Sequence, residues 1–421
     1  MPQPSLPTPK LAPTCFTLFL LAFFCAFGQV SSGLVPFQFG PGFEVTNVAE
    51  HLATSGQFAD PFSIPTGSTA HVAPVYTAVM ALVFKIFGYT YSAALIMTVL
   101  NAVLLALCAA ILPVLSQRVF AHPAPGVAGG IMLVLAGKLN PTNEATVSAA
   151  MLLVTTLIFM RNGKLAAGFS LALSILTNPI SLLAGVVIGT HRGKKWLIAT
   201  GGLALLFCLP WIARNYFVLG APYFIRDNLG LELYLSNQDQ ATSEMATNTA
   251  LQFHPTTDVE EARQVAAIGE AAYNHAKLKM AIVWIRNHPR NFVSLSAARV
   301  FHYWFPSRGW VAYGFWIVNM LAIPGFWLAR GNSAARILAS AAVVYSLPYT
   351  LIQSEPKYGY PMLWVAALLA GYTVYRILSK LGVNTFNAAL LRGSSPDDGR
   401  ARASIADRHL RIPATAPPNH T

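Results

Sequence analysis

Long apolar runs alternate with short polar breaks over most of the chain. A helix needs about 20 mainly apolar residues to cross a bilayer, and about ten runs approach that length. They cover residues 15–30, 91–117, 124–139, 144–160, 164–177, 179–190, 196–213, 310–329, 335–353 and 358–378. The two runs on either side of Asn178–Pro179 are short and also fit one broken hairpin. The pattern predicts an all-α polytopic membrane protein with about ten transmembrane helices.

The apolar runs are continuous, as in residues 95–115 and 151–159. Strands of a membrane β-barrel would instead alternate apolar and polar residues, so this pattern favours helices. Composition agrees, because 54% of residues are hydrophobic and only 10% are charged, against about 25% charged in soluble domains. Most of the chain is therefore expected to contact lipid or other apolar helices.

The run at 72–88 contains Pro74 and is interrupted by Lys85, which predicts an interfacial or re-entrant helix. Two longer polar segments cover residues 31–90 and 215–308. Within the second, residues 258–279 and 281–304 predict two amphipathic helices on the membrane surface. We expect these segments to form a helical subdomain on the outer face.

The ends of the chain differ from the middle. Residues 1–13 hold five prolines and predict a disordered leader, and the polar residues 379–421 predict a disordered cytoplasmic tail. Residues 14–378 form the transmembrane domain. The run at 15–30 after Lys10 also resembles a signal peptide. A retained helix is favoured because it keeps an even number of crossings, with both termini in the cytoplasm.

Basic residues support this orientation, because lysine and arginine concentrate in short cytoplasmic loops. With the N-terminus inside, the inner loops hold Arg118, Arg161, Lys164, Arg192, Lys194, Lys195, Arg330 and Arg336. Of sixteen acidic residues, thirteen fall outside, and the other three lie in the tail. Acids contribute little to orientation. Their asymmetry therefore predicts chemistry or binding at the outer face of the cytoplasmic membrane.

Four polar motifs lie at the predicted outer boundary. Glu44 follows the first span and starts a helical stretch, where burial would raise its pKa and suit it to act as a base. The second motif runs from Gly67 to Tyr76 and contains His71. An acid near a helix N-terminus and a lone histidine also have purely structural explanations.

The third motif, residues 210–216 with 226–237, contains Arg214, whose guanidinium suits a phosphate but could also anchor a helix end. The fourth, Glu355-Pro-Lys357-Tyr358, opens the last span with a carboxylate, a cation and a phenol.

In this order, the motifs resemble the GT-C superfamily of glycosyltransferases, polytopic enzymes that take a sugar from a polyprenyl-phosphate carrier. More narrowly, residues 15–378 resemble bacterial relatives of protein O-mannosyltransferases and lipid A aminoarabinose transferases. Glu44 matches the catalytic acid of the family's first outer loop, where many members have Asp; Glu50 and Asp60 are the alternatives. Lys357 stands where the family more often has Arg.

The resemblance implies a substrate-binding set. It comprises Asp60, His71, Tyr76, Arg214, Asn215, Arg226, Glu355, Lys357 and Tyr358. It also implies a polyprenyl-phosphate-linked sugar donor and a lipid, glycan or protein acceptor. Glu44 would take the acceptor's proton while the cations stabilise the departing phosphate. No metal ligands are assigned from the sequence; some relatives use a divalent cation, so that requirement stays open.

Other functions remain as alternatives. A polytopic transporter would carry ionisable residues in mid-span, whereas most charges here lie at span ends. A lipid-linked glycan flippase or ligase would share the lipid substrate. The net charge of +12 is spread over many loops, which argues against a nucleic-acid partner.

Overall fold

A computed structural model describes residues 11–31, 43–137, 144–161, 163–250, 253–307 and 310–382. The predicted tail and most of the leader lie outside these residues. The described chain is helical, without a strand, and contains five helices that are long and apolar enough to cross a membrane. Four shorter apolar helices accompany them. The chain is thus a multi-pass membrane protein, and the count of about ten crossings stays a prediction.

Nine helices form the first two thirds of the apolar bundle. They are α1 (Ala12–Ser31), α2 (Glu44–Ser55), α3 (Pro74–Phe87), α4 (Tyr91–Phe120), α5 (Ala124–Ala136), α6 (Ala145–Phe159), α7 (Lys164–Thr177), α8 (Ser181–Gly189) and α9 (Lys194–Leu219). The chain breaks between α7 and α8 at Asn178–Pro179, because proline lacks the amide hydrogen that a continuing helix needs.

Five helices follow in the polar segment, and three more apolar helices end the described chain. The first group is α10 (Leu229–Ser236), α11 (Met245–Ala250), α12 (Val259–Ile268), α13 (Glu270–Asn287) and α14 (Pro289–Trp304). The second is α15 (Trp310–Ala329), α16 (Ser333–Ser346) and α17 (Pro356–Lys380), with a short 3-10 turn at Leu347–Thr350 between the last two.

The two amphipathic helices predicted at 258–279 and 281–304 have different boundaries in the structure. Gly269 adopts a φ of +83° and ends α12, a conformation that favours glycine. Pro289 then starts α14, since a proline fits the first turn of a helix. The segment therefore forms three helices rather than two.

Helix α17 is the most buried of the five long apolar helices. Gly371 lies so close to α5 that a Cβ there would overlap the carbonyl oxygen of Pro125. Gly325 of α15 approaches Leu369 of α17 equally closely. Small residues allow this approach of helix backbones in membranes. The N-terminal end of α17 also packs closely, because a Cβ at Gly359 would meet the ring of Phe315 in α15.

The polar helices pack on the first loop through a small core of their own. Phe62 of that loop belongs to one buried cluster with Leu231 and Leu235 of α10, Val265 of α12 and Tyr273 of α13. Burial of such side chains contributes roughly 1.5–3 kcal/mol each. This core brings residues near 44–71 beside residues near 227–274; its placement on the outer face of the membrane stays a prediction.

Candidate functional site

A cavity of about 370 Å³ lies where the first loop, the polar helices and the start of α17 meet, within the size range of small-ligand sites. Its polar lining combines four carboxylates with two cations, two histidines and two amides. These are Glu44, Glu144, Glu232, Glu355, Arg226, Lys357, His71, His254, Asn178 and Asn228. The carboxylates all belong to the thirteen acids assigned to the outer side from sequence.

Glu44 lies in a compact cluster with His71 and His254, and one ligand atom from each residue lies within 4.8 Å of the others. Nε2 of His254 is 3.7 Å from Oε1 of Glu44. The hydroxyl of Thr256 donates to the same oxygen at 3.0 Å. Glu44 is the first residue of α2, and His254 and Thr256 orient its carboxylate.

The groups around Glu44 lower its pKa. Burial alone would raise it, but His254, His71, a backbone hydrogen bond and Lys357 together outweigh that effect. The rise in the pKa of Glu44 that the sequence predicts is therefore not found, because the sequence does not show which residues surround Glu44 in the fold. Burial lowers the pKa of His71 to about 3, despite the opposing charge of Glu44. Glu44 is thus ionised and His71 neutral at physiological pH.

Two cations, Arg226 and Lys357, also line the cavity. Arg226 lies 3.4 Å from Glu144 (Nη1 to Oε1) and donates through Nε to the backbone oxygen of His71 at 2.8 Å. Lys357 pairs with Glu355 at 2.8 Å and is 28% exposed. Both retain hydrogen-bonding capacity beyond these contacts, so an anionic group entering the cavity meets two positive charges.

Aromatic rings form another wall. Tyr349 and Tyr358 stack with centroids 4.5 Å apart and planes 17° apart. Asn178, at the break between α7 and α8, donates to Tyr345 at 3.0 Å. Glu232 accepts from Gln353 at 3.1 Å. Hydrogen-bonding groups beside flat rings suit a ligand with both hydroxyls and apolar faces.

The structure places six sequence-predicted residues on the cavity. They are Glu44, His71, Arg226, Glu355, Lys357 and Tyr358. Asp60 is not among them. Its backbone has a φ of 56°, and its Oδ1 accepts from the amides of Thr66 and Gly67 at 2.7 Å each. Asp60 therefore closes a turn, and its other oxygen lies 3.4 Å from His51.

Arg214, Asn215 and Tyr76 also lie away from the cavity lining. Arg214 donates to the carbonyls of Thr69 at 2.6 Å and Phe58 at 2.9 Å, so its guanidinium is engaged with backbone rather than open to a phosphate. Asn215 is buried and donates to Tyr223 and Ile225. The Tyr76 hydroxyl accepts from Asn101 between α3 and α4.

The sequence analysis missed His254, Glu144 and Glu232. His254 lies in a polar stretch between α11 and α12 without a local motif. Glu144 stands immediately before α6, where it looked like the edge of a span. Glu232 lies in a motif that was recognised but not assigned a role. The excess of acids on one side of the predicted topology was the signal that could have pointed to the two glutamates.

A carboxylate with two imidazoles is a ligand set of the kind that binds zinc. Nδ1 of His71 is buried without a hydrogen-bond partner among the described residues, which favours such a role. His254 argues against it, since its Nδ1 accepts from the amide of Thr256 at 3.1 Å. A neutral imidazole that accepts at Nδ1 carries its proton on Nε2. The arrangement therefore fits a hydrogen-bonding cluster better than a metal site.

Solved structures with the same fold are oligosaccharyltransferases. The archaeal oligosaccharyltransferase AglB from Archaeoglobus fulgidus, in complex with an inhibitory peptide and a dolichol-phosphate, has a TM-score of 0.51 at 12% identity, over 89% of this chain and 51% of that one. The Archaeoglobus fulgidus enzyme complexed with Zn and sulfate gives a TM-score of 0.52 at 14% identity, with the same shares.

The apo form of the latter enzyme has a TM-score of 0.54 at 14% identity and covers 89% of this chain and 52% of its own. The chain thus spans about half the length of these proteins. No protein-family model and no curated protein matches it by sequence. Over 89% of its length, the chain has the fold of these oligosaccharyltransferases.

Proposed function

We propose that this protein is a membrane glycosyltransferase that moves a sugar from a polyprenyl-phosphate carrier to an acceptor hydroxyl at the outer face of the cytoplasmic membrane. The observation that carries the proposal is the cavity that joins an ionised Glu44 to Arg226 and Lys357. A base and two cations in one cavity are what displacement of a phosphate from a sugar requires.

The donor is proposed from the position of the cations. Lys357 stands in the first turn of α17, a helix long and apolar enough to cross the membrane. A phosphate held there would leave its polyprenyl tail among apolar helices. The AglB structure that contains a dolichol-phosphate supports a lipid-linked donor in general kind. Its peptide supports a protein acceptor, with lipid and glycan acceptors as the other candidates.

In the proposed reaction, Glu44 takes the proton of the acceptor hydroxyl as its oxygen attacks the anomeric carbon. The bond from that carbon to the phosphate oxygen breaks, and its electron pair passes to the phosphate. Arg226 and Lys357 stabilise the charge that develops there. A single displacement inverts the configuration at the anomeric carbon. Because its lowered pKa keeps Glu44 ionised at neutral pH, the base is ready without prior deprotonation.

The test is transfer in proteoliposomes, using radiolabelled polyprenyl-phosphate sugars and a membrane extract as acceptor. We expect transfer by the wild-type protein and its loss in Glu44→Gln. A matched control is Glu260→Gln, because this glutamate is 68% exposed on α12, away from the cavity lining. Transfer by Glu44→Gln at the wild-type rate would move the base to Glu50 or another acid.

Absence of transfer with every donor, in wild-type protein that is folded and correctly inserted, would contradict the proposed class. Uptake of labelled substrate into the vesicles would then indicate a transporter. Movement of the labelled lipid between leaflets would indicate a flippase.

A further inference from the structure

Residues 69–71 form a short segment that is bound on all sides by distant parts of the chain. Each backbone N–H and C=O of Thr69, Ala70 and His71 has a partner. The amide of Thr69 donates to the carbonyl of Phe58 at 3.2 Å. The amide of His71 donates to the hydroxyl of Thr69 at 2.8 Å. The segment lies just before α3 and ends at the histidine of the cavity cluster.

Three of the remaining partners come from the last turns of α9 and from the loop between α9 and α10. Arg214 donates to the carbonyl of Thr69 at 2.6 Å, and Arg226 donates to that of His71 at 2.8 Å. The amide of Asp227 donates to the carbonyl of Ala70 at 2.9 Å. These contacts occupy every carbonyl oxygen of the segment.

The last partner is Glu270, the first residue of α13. Its Oε1 accepts from the amide of Ala70 at 2.7 Å. Its Oε2 accepts from the hydroxyl of Thr69, the same hydroxyl that accepts from the amide of His71. Glu270 is only 4% exposed. The Glu270 carboxylate thus holds the amide of Ala70 directly and the amide of His71 through the hydroxyl of Thr69.

Removing this carboxylate would leave a buried amide without an acceptor, which favours rearrangement of the segment. The imidazole of His71 is 2% exposed and lies against Glu44 and His254. Its position depends on the backbone to which it is attached, because a rotamer alone cannot compensate for a shift of the Cα atom.

We infer that Glu270 is a positioning residue, which holds the imidazole of His71 beside Glu44 by fixing the backbone of residues 69–71. Glu270 does not line the cavity, so it acts through His71 and does not touch the substrate. The part of the inference that concerns transfer rests on the proposed function; the part that concerns the position of His71 does not.

The experiment measures the protection of His71 from diethyl pyrocarbonate, with the modified peptide quantified by mass spectrometry in the full-length protein. His275 is exposed on α13 and serves as the internal reference. We expect slow modification of His71 in the wild type and at least about tenfold faster modification in Glu270→Ala, matching the loss of one buried hydrogen bond.

Two further variants separate positioning from general loss of stability. Glu270→Gln keeps an acceptor for the amide of Ala70 and should restore most of the protection. Glu261→Ala removes a partly buried acid of the polar helices, which pairs with Lys277 at 2.7 Å; it should leave His71 protected. The inference would be overturned if His71 were equally protected in the wild type and in Glu270→Ala. It would also be overturned if Glu261→Ala exposed His71 as much as Glu270→Ala does.

Transfer kinetics provide the second readout. We expect Glu270→Ala to lower kcat by about 10²-fold, because a displacement near 1 Å beside the proposed base Glu44 can have an effect of that size, with KM for the donor nearly unchanged. If Glu270→Ala changes the protection of His71 but leaves kcat unchanged, the position of His71 does not affect the reaction. If the wild type transfers no sugar, the proposed function fails, and the protection of His71 still decides the role of Glu270.

Discussion

Nε2 of His254 lies 3.7 Å from Oε1 of Glu44, although the two residues are far apart in sequence and belong to different parts of the molecule. Glu44 starts the first helix of the first loop, whereas His254 precedes α12. Their contact depends on the small core that packs the polar helices on the first loop. The basicity of the proposed catalytic carboxylate is therefore set by a segment distant in the chain.

Replacing His254 with glutamine should raise the pKa of Glu44, because His254 is the largest single influence lowering it. The acid limb of the kcat profile should then move to higher pH, since a higher pKa means that Glu44 is protonated over a wider range. The measurement is kcat for transfer between pH 4 and 9. His275→Gln, at an exposed position, is the control, and an unmoved acid limb in the His254 variant would contradict the assigned contact.

Replacing Lys357 with methionine should reduce kcat for transfer by about 10²–10³-fold, as loss of one preorganised charge at a developing anion does. Glu355 would also lose its partner at 2.8 Å, so Glu355→Gln/Lys357→Met tests whether the effect comes from the unpaired acid. The measurement is kcat at saturating donor for both variants, with Lys279→Met as an exposed control on α13. Recovery in the double variant would show that Lys357 only neutralises Glu355.

Transfer should survive removal of divalent cations, because the amide of Thr256 occupies Nδ1 of His254 and leaves the proton on Nε2. The measurement is transfer by protein dialysed against EDTA, with metal content followed by mass spectrometry. Activity that is lost on chelation and restored by Zn²⁺ would mean that His254 changes tautomer and joins Glu44 and His71 as a ligand.

The protein should become less stable as pH rises through the range from about 4 to 8. Burial, with the charge of Glu270, raises the pKa of Asp227 to about 8, and burial raises that of Glu270 to about 7. A carboxyl whose folded-state pKa is raised favours folding while protonated, so its contribution is present below the unfolded pKa and is lost as pH rises through the folded one. Each such group changes the free energy of unfolding by up to about 1.4 kcal/mol per pH unit.

The measurement is the thermal midpoint of the detergent-solubilised protein between pH 4 and 9. Asp227→Asn should flatten the slope, because an amide has no proton to lose. Asp239→Asn is the control at an exposed acid. A midpoint in the wild type that rises with pH over this range would contradict the assigned directions.

Much of the fold could be predicted from the sequence, because membrane helices depend on local runs of apolar residues. Each predicted apolar run with described residues contains or overlaps an observed helix. The boundaries within the polar segment were harder to place, since Gly269 and Pro289 can interrupt an amphipathic pattern without changing its composition. Their effect depends on the φ angle at Gly269 and on where α14 begins.

The candidate site was only partly predictable, for a related reason. Glu44 and Lys357 stand in recognisable motifs, and both line the cavity. His254 has no local signal, and its role arises only from tertiary packing. Arg214 illustrates the converse: a cation at a helix end suggests a phosphate, but its partners are carbonyls of residues that precede it by more than a hundred positions.

The close glycine packing of α17 has a consequence for turnover. Lys357 belongs to α17, which packs closely against α15 at Gly359 and Gly325 and against α5 at Gly371. Glu44 and His254 instead stand at short elements, because Glu44 starts the 12-residue helix α2 and His254 precedes the 10-residue helix α12. We therefore expect the phosphate end of the cavity to stay in place during turnover. The acceptor would enter and the product would leave by displacement of the opposite wall, which carries Glu44 and His254.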